Sequence, residues 1–261
     1  DVRRRGGARA LVVAPTGVGK TILAALDATR VVPAGEGRVL FVAHRRELLE
    51  QAKRAFERVR GVDSTHGFVD QDEKSTRADH VYASVWSLEA IDDDTLGGFD
   101  YVVIDEAHHG TSKSYRRLFE KSAARFILGL TATPERLDGA SLYPLFDGVV
   151  AYERTVLDAI ANRWLVPFRY FGVPDPVDYR KLTWTGGSLG YQAAQLEGAV
   201  LAEARTQALL RALANPLYAG ARTLVFCVTI AHANQTAEAL RGAGIRAACV
   251  HSGPGSASRE A

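Results

Sequence analysis

The sequence predicts an α/β protein in which a parallel sheet is flanked by helices. Short β-branched and apolar runs alternate with amphipathic stretches of helical periodicity. Parallel strands need such crossovers, because a tight turn cannot join them. The composition, 47% hydrophobic and 24% charged over 261 residues, is that of an ordinary globular protein. The predicted strands are residues 8–13, 38–42, 80–83, 100–104 and 125–130, and the helices between them are 21–29, 47–58 and 114–122.

The alternation of strands and helices is interrupted near residues 147–152. Beyond this point the sequence predicts a helix at 156–163, an extended run at 167–173, a stretch containing proline and glycine at 174–190, and a helix at 199–213. A new strand–helix–strand unit follows at 223–228, 231–241 and 246–251. We therefore expect two domains, residues 1–152 and 153–261.

The composition excludes several classes of protein. No stretch approaches the roughly 18 to 20 apolar residues that a membrane-spanning helix needs, and the N-terminal residues do not form a secretion signal. Cys227 and Cys249 cannot build a disulfide framework. We interpret both as buried strand residues and expect a cytoplasmic protein. A net charge of +2 gives no strongly basic surface for nucleic acid, although basic residues clustered on one face could still provide one.

A loop with two glycines follows the first predicted strand and leads directly into a helix. Glycines let backbone N–H groups converge on phosphate oxygens, and the helix N-terminus adds the positive end of its dipole. Lys20 would reach the β- and γ-phosphates of a nucleotide, and the Thr21 hydroxyl would bind Mg²⁺. A strand-to-helix turn without a ligand is the alternative. The predicted nucleotide-binding residues are Ala14, Pro15, Thr16, Gly17, Val18, Gly19, Lys20 and Thr21.

Two acidic residues follow the buried strand at 100–104. Side chains at the carboxyl end of a parallel strand project into the crevice where open α/β sheets bind ligands. Asp105 would hold the Mg²⁺ that bridges the phosphates, and Glu106 would polarise the attacking water. A helix N-cap with a first-turn acid is the alternative for this pair. His108 and His109 are adjacent, so they point in different directions, and we do not predict a zinc site.

These segments resemble, in order and spacing, the motifs of superfamily 2 helicases and translocases in their DEAH-box form. Residues 14–21 are similar to motif I, 105–108 (DEAH) to motif II, 131–134 (TATP) to motif III, 42–51 (VAHRRELLEQ) to motif Ia, 83–88 (ASVWSL) to the next backbone-binding segment, and 223–228 with 251–253 to motif IV and the strand after it. The resemblance implies two RecA-like domains with ATP between them, the second only partly covered by residues 153–261. It implies ATP and Mg²⁺ as cofactors, Lys20, Asp105 and Glu106 as catalytic residues, and a coupling role for His108, Thr131 and Thr133.

Motif Ia and the run at 164–170 (WLVPFRY) resemble a narrower bacterial group, which is related to the ATPase subunits of multisubunit restriction enzymes. That resemblance implies DNA rather than RNA as the partner and allows an additional nuclease or accessory domain in a longer chain. Motifs V and VI of the superfamily have no counterpart in the sequence. Because arginines of motif VI stabilise the transferred phosphoryl group, we expect residues 1–261 alone to hydrolyse ATP slowly.

The resemblance implies Arg45 and Arg46, at the start of the helix after the second strand, as contacts to the nucleic-acid backbone, where guanidinium groups can hold phosphates without reading sequence. Ser84, with Ser87, follows the third strand and could donate to the same backbone. A solvated helix start, with Glu47 and Glu50 as ion-pair partners, is the alternative for the arginines, and a strand-end cap is the alternative for Ser84. For Trp86 we favour a core position over stacking on a base. We expect Trp164 and Trp184 to be packing residues and Arg116 and Arg117 to lie on a solvated face.

The combined prediction is an ATP-dependent nucleic-acid helicase or translocase, most simply one that acts on DNA. Two alternatives stay open at this stage. The near-zero net charge fits a P-loop ATPase that does not act on nucleic acid, but the TATP segment argues against it. A non-catalytic binding module is the other alternative, although such a module has no chemical need for a lysine, a threonine and two acids together.

Overall fold

The computed structural model describes residues 2–257 apart from 34, 62, 108–111, 135–140, 173–179, 181–182, 184–202 and 219. The chain divides into two compact units, Asp1–Phe168 and Arg169–Ala261. The division thus falls after residue 168 and not at the predicted boundary of 152. The reason is that Val150–Glu153 forms a strand paired with the first strand of the chain, and the Arg154 N–H then donates to the Val13 carbonyl at 2.9 Å.

The first unit is built on a seven-stranded sheet whose neighbouring strands all run parallel. Its strand order is β3-β4-β2-β5-β6-β1-β7. The strands are β1 Arg9–Val13, β2 Val39–Ala43, β3 His66–Val69, β4 His80–Ser84, β5 Tyr101–Asp105, β6 Phe126–Thr131 and β7 Val150–Glu153. The five strands predicted in this region are confirmed to within one residue at each end, and β3 and β7 are additions that the sequence did not reveal.

The strand β3 forms where the sequence pattern is weakest. It has only four residues, and Gly67 lies among them. A Cβ at Gly67 would overlap the backbone of Ser75, whose N–H donates to the Phe68 carbonyl at 2.8 Å. The glycine is therefore required by the close approach of the following loop, and pairing with β4 sets the strand.

Helices cover both faces of the sheet, as the parallel topology requires. They are α1 Lys20–Val31, α2 Arg46–Arg60, α3 Asp93–Gly97, α4 Ser112–Lys121 and α5 Val156–Ala161. Successive strand residues serve opposite faces: Leu11 packs in one buried cluster with Leu118 of α4, and Val12 packs in the other with Ala24 of α1 and Phe56 of α2. The sheet is thus buried on both sides, and its functional groups are confined to the strand ends.

The second unit contains α6 Glu203–Leu213 and α7 Ile230–Gly242 in its described part. The strands predicted at 223–228 and 246–251 are wrong for this structure, since neither segment pairs with another strand in the described residues. A strand is held by its ladder of hydrogen bonds, and periodicity alone does not supply a neighbour. Cys227 and Cys249 are accordingly half-buried and lie outside any strand, contrary to prediction. None of the described helices combines the length and apolar character needed to cross a bilayer.

Gly129 of β6 is a packing position that can be tested directly. A Cβ there would overlap the buried ring of Phe146 and lie 2.8 Å from Leu11 Cδ1. We expect Gly129→Ala to lower the free energy of unfolding by about 1–3 kcal/mol, the usual cost of overpacking a core. Gly97→Ala is the matched control, because its added methyl makes only an ordinary 3.5 Å contact. Urea unfolding measures both, and equal stability of the two variants would contradict the prediction.

His80 of β4 predicts a pH dependence of stability. It is 2% exposed, its ring stacks on His66 at 4.9 Å, and neither ring nitrogen has a hydrogen-bond partner among the described residues. Burial, together with the positive charges of Arg60 and His66, lowers the pKa of His80 to about 4, while the Asp79 carboxylate acts in the opposite direction. In the unfolded chain His80 therefore becomes protonated near pH 6.5, whereas in the folded chain it becomes protonated only near pH 4.

The free energy of unfolding should fall as the pH drops from 6.5 to 4, with His80 contributing at most about 3 kcal/mol of the loss. The measurement is the difference between the wild type and His80→Phe across this range. Any packing cost of phenylalanine shifts the whole curve equally, so the slope isolates the titration. A difference that stays constant with pH would rule the effect out.

Candidate functional site

The candidate site lies at the carboxyl edge of the sheet, where β1, β6 and β5 end side by side. In open parallel sheets this edge is where ligands bind. The loop at residues 14–19 follows β1, Thr131 ends β6, and Asp105 ends β5. The register pairs Val13 with Thr131 and Asp105 with Leu130, so the three segments leave the sheet at the same level.

The loop after β1 has the backbone of a phosphate cradle. Gly17 and Gly19 have φ values of 91° and 90°, a left-handed conformation that L side chains rarely adopt. Gly19 is the N-cap of α1, so the free N–H groups of a twelve-residue helix face the loop. The Lys20 side chain is buried and donates from Nζ to the carbonyls of Ala14 at 2.9 Å and Pro15 at 3.2 Å. The ammonium group is therefore held inside the loop.

A hydrogen-bonded chain joins this loop to the end of β6. The Ala14 N–H donates to the Thr131 carbonyl at 3.0 Å. The Thr131 hydroxyl is buried and donates to the Thr133 carbonyl at 2.6 Å, while the Thr133 N–H donates back to it at 3.1 Å. Residues predicted for nucleotide binding and for coupling are thus connected through the backbone, a link that the sequence did not reveal. The predicted coupling residue His108 lies outside the described residues.

Asp105 and Glu106 form a strained and negatively charged pair. Glu106 has a φ of 48°, left-handed although it is not glycine, and its N–H donates to Asp105 Oδ1 at 3.1 Å. Burial and the neighbouring Glu106 carboxylate raise the pKa of Asp105 to about 6, while the Lys20 ammonium acts in the opposite direction. The two acids and the lysine are therefore within electrostatic reach of one another.

The residues present fit a magnesium-bound nucleoside triphosphate. A buried carboxylate that suffers from desolvation and from a second carboxylate is stabilised by a cation, and Mg²⁺ prefers oxygen ligands. Asp105 and the half-buried Thr21 hydroxyl supply such oxygens, while Lys20 and the helix N-terminus supply positive charge for phosphate. Glu106 lies directly beside Asp105 at the rim of the same edge.

The two arginines after β2 have different environments. Arg45 is the N-cap of α2 and its side chain is exposed. The Arg46 guanidinium is bound by the Asp70 carboxylate, contacts Glu50 at 3.2 Å and Glu73 at 3.8 Å, and covers the Phe68 ring. The pKa of Arg46 is raised, mainly by its hydrogen bond to Asp70. Glu50 was foreseen as a partner, whereas Asp70 and Glu73 are brought in by β3. Of the pair, Arg45 alone is open to a phosphate in the described structure.

The segment after β4 forms a short turn that departs from the prediction at Trp86. Ser84 caps a 3₁₀ turn, Val85–Ala90, by accepting from the Ser87 N–H at 3.2 Å. The core position expected for Trp86 is wrong, because Val85 and Leu88 fill the inner face of the turn and Trp86 is 67% exposed. The solvated position expected for Arg117 is also wrong.

Arg117 reaches from α4 to the carbonyls of Leu88 at 2.9 Å and Ile91 at 2.7 Å. It therefore braces the turn, while Arg116 is exposed as expected. Trp164, expected to pack, is 50% exposed, and Trp184 lies outside the described residues.

The parallel sheet with a phosphate-type loop after β1 and paired acids after β5 defines a RecA-like domain of the superfamily 2 helicases. The chain belongs to the family described as type III restriction enzyme, res subunit, which it matches over residues 2–136.

Two curated relatives and one solved structure are similar to this chain. The chain is 30% identical over 165 residues to the DNA 3'-5' translocase XPB2 of Sulfurisphaera tokodaii, covering 62% of this chain and 35% of that protein. It is 29% identical over 252 residues to the putative mitochondrial ATP-dependent helicase irc3 of Schizosaccharomyces pombe, covering 93% of this chain and 41% of that protein. The chain thus spans less than half the length of these relatives. The Hef helicase domain of Pyrococcus furiosus has a similar fold, with a TM-score of 0.50 and 23% identity over 63% of this chain and 39% of that one.

The burial of Asp105 predicts that this residue weakens the fold. Asp105→Asn removes a buried negative charge while keeping an oxygen that can accept from the Glu106 N–H. In metal-free buffer at neutral pH we expect the free energy of unfolding to rise by roughly 1–3 kcal/mol. Asp94→Asn, at an exposed position of α3, is the matched control and should change little. A destabilised Asp105→Asn would contradict this prediction.

Proposed function

We propose that this chain carries the ATP-binding part of a DNA translocase or helicase. The observation on which the proposal rests is the convergence of Lys20, Asp105, Glu106 and Thr131 at one edge of the sheet, connected by the Ala14–Thr131 hydrogen bond. DNA is favoured over RNA because the relative XPB2 is named a DNA translocase and the family is named for a restriction enzyme subunit. The family name also favours an additional nuclease or accessory component as a partner of this chain or as a domain of a longer one.

Each residue has a role that follows from its position. Lys20 exchanges its bonds to the Ala14 and Pro15 carbonyls for the β- and γ-phosphates, and the N–H groups at residues 17–21 bind the remaining phosphate oxygens. Thr21 and Asp105 would hold Mg²⁺, which would supply positive charge against the charge that builds up on the phosphates. Glu106 orients the attacking water and accepts its proton at the carboxylate.

Coupling to DNA runs through the end of β6. A shift of the 14–19 loop acts on Thr131 through the Ala14 N–H, and Thr131 in turn fixes the exposed Thr133 through two hydrogen bonds. Arg45 follows β2, two strands from β6 at the same edge, and contacts a backbone phosphate without reading sequence. The start of α2 keeps its position because Arg46 is bound to Asp70.

Variants of Glu106 and Lys20 test the ATPase role. Glu106→Gln should lower ATP turnover by about 100-fold or more, since a general base is lost, and should leave the binding of a fluorescent ATP analogue intact. Lys20→Ala should weaken the binding of the analogue itself. Glu120→Gln and Lys121→Ala, on the outer side of α4, are the matched controls. Retained turnover in Glu106→Gln would support a different catalytic base or a non-catalytic module.

Stimulation by nucleic acid separates a motor from other ATPases. Turnover of the purified protein is measured alone and with double-stranded DNA, single-stranded DNA or RNA at low salt. We expect DNA to stimulate turnover and Arg45→Ala to reduce the stimulation. Turnover that none of the three affects would favour an ATPase that does not act on nucleic acid.

A further inference from the structure

Trp86 is a large apolar side chain that the fold directs outward. In a 3₁₀ helix residues three apart share a face. Val85 and Leu88 occupy the inner face of the turn Val85–Ala90, with 1% and 2% of their surface exposed. Trp86 lies off that face, and 67% of its surface is open to solvent. The indole ring is therefore open to a ligand, to which it offers a large apolar face and an N–H donor.

The turn that carries Trp86 is anchored at both ends. At its start the Ser84 hydroxyl accepts from the Ser87 N–H at 3.2 Å and lies 2.8 Å from the Ser87 hydroxyl. At its end Arg117 donates to the carbonyls of Leu88 and Ile91. A ligand that meets the indole therefore has to order little beyond the side chain itself. Rigid aromatic side chains of this kind bind at low entropic cost.

The neighbours of Trp86 indicate what such a ligand is. The strands β2 and β4 are paired, with Ala43 opposite Ser84, so Arg45 and Trp86 each stand two residues beyond adjacent strand ends. Those ends are about 4.8 Å apart in a sheet. Arg45 is exposed and positive, whereas Glu89, three residues after Trp86 and on its side of the turn, is exposed and negative. An anionic group is attracted to the Arg45 side and repelled from the Glu89 side.

We propose that Trp86 stacks on an unpaired base of the bound nucleic acid while Arg45 contacts the adjoining phosphate, an inference that rests on the proposed function. Every base has a face that an aromatic ring can cover, and stacking of this kind is tolerant of sequence. Inside a duplex both faces of a base are already covered by its neighbours. The ligand at this edge therefore includes a single-stranded segment, at a junction, a fork or a free strand.

Binding of three labelled DNA ligands to the purified protein tests the stacking. They are a single-stranded oligonucleotide, the same oligonucleotide with abasic sites, and a blunt duplex, each followed by fluorescence anisotropy. Trp86→Ala should weaken binding of the intact single strand by about 5- to 100-fold and leave the abasic strand and the duplex unchanged. Trp86→Phe should retain most of the affinity. Trp164→Ala, which removes another exposed indole, is the matched control.

The outcomes separate this inference from the proposed function. Arg45→Ala should weaken all three ligands, because its contact is with phosphate. Equal losses for all three ligands in Trp86→Ala would overturn stacking and assign Trp86 to the shape of the turn. Unchanged affinity for all three would overturn it as well and point to an apolar protein partner at this position. If the unsubstituted protein binds none of the ligands, the nucleic-acid function fails together with the inference.

Discussion

The pairing of β1 with β6 is the constraint on which the functional edge depends. The register continues past the strands, because the Ala14 N–H still donates to the Thr131 carbonyl after Val13 and Thr131 have paired. This one ladder fixes where the 14–19 loop begins and where the segment after β6 turns away. With β5 on the other side of β6, the acids at 105 and 106 arrive at the same level as the lysine at 20. Strand pairing inside the buried sheet thereby positions the functional residues at its carboxyl edge.

Most of the sheet could be predicted because its strands are buried on both faces. The strand Val39–Ala43, and the strand Tyr101–Asp105 up to its last residue, are continuous apolar runs, which is what a doubly covered parallel sheet requires. β3 and β7 could not be predicted, since His66 and Gly67 in one and exposed residues in the other break that pattern and their neighbours in the sheet define them. Residues 223–228 show the converse case, because a run with strand-like composition forms no strand where it has no pairing partner among the described residues.

The candidate site also contains residues that could be predicted from the sequence and residues that could not. The phosphate loop and the acids follow from short motifs, whose chemistry depends on residues close together in sequence. The environment of Arg46 does not, because its strongest partner is Asp70, 24 residues away, and arrives only once β3 has paired. Trp86 also escaped prediction: its neighbours Val85 and Leu88 are apolar, and a three-residue period that turns it outward is difficult to distinguish from a buried strand end. Side-chain exposure at the ends of elements thus needed the tertiary structure.

The loop that follows β3 has a consequence for how the molecule behaves in a crowded solution. β3 is the outermost strand on its side of the sheet, and an uncovered outer strand offers a template to which another chain can add. Here residues 70–75 fold back along it, with the Ser75 N–H on the Phe68 carbonyl and Val69 bridged to Lys74. Residues 70–75 thus cover part of the exposed edge of β3, and the charged side chains of Asp70, Glu73 and Arg46 lie at this edge. Pairing of another chain with the edge of β3, which is a first step toward aggregation, is therefore opposed both sterically and by charge.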